Sequence, residues 1–204
     1  MDLSDVEWNN KGYGLFQLGK CEEAIGCYDK ALGINPGCVL AWINKGRALE
    51  SLKKPREALE CYDKALGINR GLVTAWLNKG VALAHLGRLR EALECYDKAL
   101  EINLRLSDAW NNKGVALKAL GRYEEANGCY DTALTINPGS SDTWNNKGNC
   151  LYKLRKYEEA IECYDKSLGI NPGSSNAWNN KGVALKALRK YEEAIRCYDK
   201  ELGI

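Results

Sequence analysis

The chain has 204 residues, 45% hydrophobic and 27% charged, and its 29 basic and 27 acidic residues leave a net charge of +2. So even a balance, with no basic tail, argues against a nucleic-acid partner. No run approaches the roughly 18 apolar residues of a membrane span; nor does the stretch Met1–Asp5 carry a basic and then apolar export signal, so no membrane association is expected and a cytoplasmic setting is.

The six tryptophans, Trp8, Trp42, Trp76, Trp110, Trp144 and Trp178, stand at a constant interval of 34 residues. A fixed period of this length marks one supersecondary unit copied in tandem, whose core grows by stacking. With tryptophan as the fourth position the copies run 5–38, 39–72, 73–106, 107–140, 141–174 and 175–204, a single array over 1–204. The last lacks its final four residues, and the expectation is a fragment of a longer array.

Each copy reads as two helices. In the fourth, the pair Ser107-Asp108 reads as a cap, and Trp110, Gly114, Ala116 and Leu117 share one side of the first helix. A Leu-Gly-Arg turn follows. Ala126, Tyr130, Ala133 and Leu134 then keep the i, i+4, i+7, i+8 stripe of a second helix, which Asn137-Pro138-Gly139 stops. Six helix–turn–helix units, 12 helices in all, are expected. Glycine inside a helix costs about 1 kcal/mol against alanine, so its recurrence from Gly12 to Gly182 implies close packing, with the tyrosines from Tyr28 to Tyr198 filling space nearby.

Departures from the pattern follow the chain. Pro55 opens a second helix, where its missing N–H is harmless. Arg70 and Leu104 replace prolines, and Asn127-Gly128 stand where most copies have Ile or Leu and a polar residue, which predicts a soft spot. Glu201 replaces the Ala or Ser of the packing face. At the seventh position Lys11, Lys45, Lys79, Lys113, Lys147 and Lys181 fall near the tryptophan side. A buried ammonium is costly, so pairing with Asp29, Asp63, Asp97, Asp131 and Asp165 of adjacent second helices is expected.

Six of the nine cysteines occupy one repeat position, from Cys27 to Cys197. Equivalent positions of neighbouring two-helix units lie about 20 Å apart, whereas a disulfide needs Cα atoms within about 7 Å. With no C-x-x-C pair and one histidine, His85, neither a disulfide framework nor a zinc site is expected, and the thiols read as packing residues in a reducing compartment.

The 34-residue period, Trp, Gly and Leu at the fourth, eighth and eleventh positions, the following Ala-x-x-x-Tyr-x-x-Ala, and the late Pro36, Pro138 and Pro172 resemble the tetratricopeptide repeat over essentially the whole chain. The resemblance implies an all-α, right-handed α-solenoid superhelix with first helices lining a concave face. It also implies binding of peptides or proteins rather than catalysis. No enzyme activity, cofactor or metal is expected: no nucleophile–base pair or phosphate-binding glycine loop is present to build a site.

The arc opposite the tryptophans is the candidate ligand surface. Asn10, Asn44, Asn78, Asn112, Asn146 and Asn180 occupy the sixth position of every copy, with Asn9, Asn111, Asn145 and Asn179 beside them. An amide carries donor and acceptor, so a spaced row can bond an extended peptide's backbone; the row resembles asparagine ladders of some superhelices in the family. Toward the N-terminal end the arc adds Val6, Tyr13, Phe16, Leu40, Ile43, Leu77 and Val81, an apolar patch suited to an anchor side chain. Asp108, Asp142, Lys118, Lys153 and Lys186 follow. The lysine at the fifth position by which some family members hold a carboxylate is Asn, Ile or Leu here, which argues against chaperone tails as ligands. The alternative to a peptide-binding scaffold is end-to-end self-association through uncapped terminal repeats.

Overall fold

The computed structural model describes residues 3–202. Among them are twelve α-helices and no strand. They divide into two compact units, one ending at Leu104 and one beginning at Arg105. The first holds α1 (Asp5–Gln17), α2 (Cys21–Ile34), α3 (Val39–Ser51), α4 (Pro55–Ile68), α5 (Val73–His85) and α6 (Leu89–Ile102). The second holds α7 (Ser107–Ala119), α8 (Tyr123–Ile136), α9 (Ser141–Lys153), α10 (Tyr157–Ile170), α11 (Ser175–Ala187) and α12 (Tyr191–Leu202). Each unit is thus three hairpins, with odd-numbered first helices and even-numbered second helices.

The small residues of each first helix meet the large residue of its partner. The ring of Tyr62 lies on Gly46 and that of Tyr164 on Gly148, so close that an added Cβ would sit 2.5 Å from ring carbon Cε1 in either case. Alanines such as Ala58, Ala75, Ala160 and Ala177 are wholly buried, which lets successive hairpins nest. Burying this apolar surface drives the stacking.

Turns follow local chemistry. Within a hairpin, the second residue after the first helix takes a left-handed conformation: Gly19, Gly87 and Gly121 supply it freely, while Lys53, Arg155 and Arg189 adopt φ near +60°. Between hairpins, the tryptophan indole donates to a backbone carbonyl six residues earlier: Trp42 to Pro36, Trp144 to Pro138 and Trp178 to Pro172, each at 2.9 Å. Trp76 makes the same bond to Arg70. A carbonyl serves whatever the side chain, which is why that proline is dispensable.

One local expectation shifts. The cap of α7 is Leu106, with Ser107 already inside the helix. Side-chain caps occur instead one position earlier in their copies, at Ser4, Ser140 and Ser174, and Ser4 forms a reciprocal box with Glu7. Asn127-Gly128 leave α8 unbroken, but the Asn127 Oδ1 is buried without a protein donor. Gly128 is exposed, and nothing lies within 4 Å of where its Cβ would be. Gly128→Ala is therefore expected to stabilise the protein by about 1 kcal/mol, read as a higher urea midpoint at unchanged slope. A lower midpoint would show that the glycine answers a packing need.

Candidate functional site

Within the first unit α1 touches α3 and α3 touches α5, whereas α2, α4 and α6 do not touch one another. The same holds in the second unit for α7, α9 and α11 against α8, α10 and α12. Helices on the inside of a curved stack crowd and those outside splay, so in each unit the first helices form the inner wall.

The lysine row lies at the edge of this wall. Lys45, Lys79, Lys147 and Lys181 reach Asp29, Asp63, Asp131 and Asp165 of the preceding hairpin, each at 2.5 Å. Each ammonium also sits 5.6–5.8 Å from the centroid of its own tryptophan ring. The pairing expected from the sequence is present at these four steps. The aspartates are about half exposed, so each pair is worth no more than about 1 kcal/mol; its geometric effect is to hold successive hairpins in register.

The asparagines form a second register. Asn44 donates to Asn9 at 3.1 Å, Asn146 to Asn111 at 3.2 Å and Asn180 to Asn145 at 3.0 Å. A sixth-position amide thus reaches the fifth position of the hairpin before it. One bond leaves such an amide a second N–H and its own oxygen. Where the fifth position is Ile43 the bond cannot form, and the Asn78 amide nitrogen is buried without a protein acceptor. Asn10 is exposed and Asn112 half-buried.

The apolar residues of the N-terminal patch do not share one environment. Val6, Tyr13 and Leu40 are 58%, 46% and 63% exposed. Phe16, Leu77 and Val81 are half-buried, and the Arg47 guanidinium lies 5.2 Å from the Phe16 ring. Ile43 is only 6% exposed and packs with Ala65, Leu66 and Ala75, so it belongs to the core.

Sequence reasoning missed two polar clusters on the inner wall. In the first unit the Tyr62 hydroxyl donates to Glu50 at 2.7 Å, and His85 Nδ1 lies 3.8 Å from the same carboxylate. Burial pushes the Glu50 carboxyl above the usual carboxylate range, opposed by the tyrosine's hydrogen bond. In the second unit a cavity of about 390 Å³ opens among α7, α9 and α11, with Asn180 and Val183 closing one side. The Tyr164 hydroxyl donates to Asn149 Oδ1 at 2.9 Å on its wall. The signal for both lay at the ninth, twelfth and thirteenth repeat positions, where the residue changes from copy to copy and where Glu50, His85, Lys118, Asn149, Tyr152 and Lys153 stand.

No group of three or more His, Cys, Asp or Glu able to hold a metal occurs among the described residues, and no helix there is long and apolar enough to cross a membrane.

A family model described as tetratricopeptide repeat matches residues 39–72, 73–104, 107–140, 141–174 and 175–200, and a second model of that description matches 8–38. No curated protein matches the chain in sequence. Among solved structures, PilF of Pseudomonas aeruginosa aligns at 22% identity over 95% of this chain and 88% of that one, with a TM-score of 0.85. PilW, described as a widely conserved type IV pilus biogenesis factor, aligns at 19% identity over 95% and 90%, with a TM-score of 0.89. YrrB, described as a TPR protein with an unusual peptide-binding site, aligns at 25% identity over 86% and 91%, with a TM-score of 0.68.

Proposed function

The chain belongs to the tetratricopeptide repeat family, and on that premise we propose that it is a protein–protein interaction scaffold that takes an extended peptide along the inner wall of its first helices. The observation that carries this reading is the crowding of α1, α3 and α5, and of α7, α9 and α11, which turns their polar faces to one side in each unit. In the first unit Val6, Tyr13 and Leu40 offer an apolar anchor point there, because large exposed apolar side chains gathered on one face favour contact with a partner. The asparagine row supplies backbone-reading groups: in those that bridge hairpins, one N–H holds the row in place while the remaining donor and acceptor meet the peptide. Nine cysteines outside any disulfide, eight of them buried, fit a reducing, cytoplasmic setting.

The test is selection of peptides from a random library on the intact chain, then titration of those recovered against Leu40→Asp and Asn10→Ala. Loss of an apolar anchor contact weakens binding about tenfold or more, so peptides with one large apolar residue are expected to lose that much against Leu40→Asp. A folded protein that recovers no peptide above background sinks the reading.

A second reading, end-to-end self-association, draws on α12, where Tyr191, Ile195 and Leu202 are all more than half exposed. Its mark is a mass that rises with concentration in light scattering; a constant monomer mass rules it out.

A further inference from the structure

The cavity of the second unit has a chemistry that the asparagine row does not explain. Its charged lining is Lys118 of α7 and Lys153 of α9, and no Asp or Glu faces it. Asn149 lines it too; its oxygen accepts from the Tyr164 hydroxyl, which leaves both of its N–H hydrogens for a ligand. Tyr123 and Tyr152 complete the wall. The Tyr152 ring packs on Tyr157 with centroids 5.3 Å apart at 56°, which fixes it as an apolar side.

Among the described residues the lysines have no counter-charge. Neither Lys118 nor Lys153 forms an ion pair or hydrogen bond with a described protein group, unlike the seventh-position lysines with their aspartates. Burial holds the Lys118 ammonium below the ordinary lysine range, opposed by Cys150 and reinforced by the charge of Lys153. A second ammonium facing the same half-buried cavity makes the Lys118 charge costlier, and an anion between the two relieves it. The arrangement is not a general property of the repeat: at the position of Lys118 the other copies have Phe16, Glu50, Ala84, Tyr152 and Lys186. Nor does it use the fifth position, which is Asn111, Asn145 and Asn179 in this unit.

We propose that this cavity receives a carboxylate of the bound peptide, held by Lys118, Lys153 and the Asn149 amide, with the aliphatic stem of the acidic residue against Tyr152. The proposal rests on the peptide-binding reading above and specifies it, giving the second unit an acid-selective subsite. The cavity's size suits a single side chain or a chain terminus, and the shared chemistry is the carboxylate.

Two random peptide libraries separate the sources, one with free C-terminal acids and one amidated, each screened against the intact chain. Asp or Glu enriched at one position in both pools identifies a side-chain carboxylate; binders recovered from the free-acid pool alone identify the terminal one. Either supports the proposal, provided that Lys118→Gln/Lys153→Gln weakens those peptides about tenfold or more while Lys118→Arg/Lys153→Arg and Lys186→Gln do not. Circular dichroism of each variant shows that it is folded. Recovered peptides with no acidic preference, or with equal affinity for the glutamine variant, overturn the proposal and leave the groove reading standing. Failure of both pools to yield any binder overturns the two together.

Discussion

Gly148→Ala is expected to lower the stability of the protein by about 3 kcal/mol, although alanine is the better helix former by about 1 kcal/mol. The new methyl carbon would lie 2.5 Å from Cε1 of Tyr164, 2.8 Å from Cδ1 and 2.9 Å from Cζ. That ring cannot step aside. It is 1% exposed, its hydroxyl is tied to Asn149, and Leu151, Ala160, Cys163 and Ala184 pack in the same cluster. Relief must come from a shift between α9 and α10, which loosens every contact of that hairpin. Urea unfolding followed by tryptophan fluorescence reads the loss. A double-mutant cycle with Tyr164→Leu assigns it: with the ring gone, adding the methyl is expected to cost little, so the two changes couple strongly. A Gly148→Ala protein as stable as its parent, or costs that simply add, would remove the glycine–tyrosine contact as the reason for the recurring glycine.

How far the sequence carries depends on whether a residue's environment repeats. Trp, Gly, Leu and Tyr recur because each copy meets the same neighbours, so one reading of the unit serves six times. The lysine–aspartate pairs were legible for the same reason: Asp29 and Lys45 lie 16 residues apart across one loop, as do their counterparts. Ile43 was not legible. A helical wheel puts it on the open arc, but a wheel treats a helix alone, and Ala75 with its neighbours closes over that position. The asparagines show the same limit, since a bond from Asn44 back to Asn9 depends on how two first helices lie against each other. The cap of α7 slipped by one residue, within the usual blur of helix ends. The basic cavity was the least legible, because Lys118, Asn149, Tyr152 and Lys153 stand at positions where the residue changes from copy to copy, and only the packing of α7 against α9 brings them to one cavity.

Those same variable positions decide what each buried tyrosine hydroxyl meets, and this makes opposite outcomes from one substitution the expected result. The ninth and twelfth positions precede the tyrosine by 15 and 12 residues: Asn149 accepts from Tyr164, and Glu50 accepts from Tyr62. For Tyr130 the corresponding residues are Val115 and Lys118, which offer no acceptor, and its hydroxyl is buried without a protein partner. Removing an unsatisfied buried hydroxyl recovers about 1 kcal/mol, so Tyr130→Phe is expected to raise the urea midpoint. Tyr62→Phe is expected to lower stability by about 2 kcal/mol, because it strips a donor from a half-buried carboxylate whose second oxygen already lacks a hydrogen bond. The ring itself matters far more than the hydroxyl. Tyr130 is wholly buried, so Tyr130→Ala is expected to cost about 4 kcal/mol, the loss typical of an emptied aromatic site. If Tyr130→Phe proves destabilising by as much as Tyr62→Phe, the hydroxyl has an acceptor after all, and the groove residues do not set the environment of the core tyrosines.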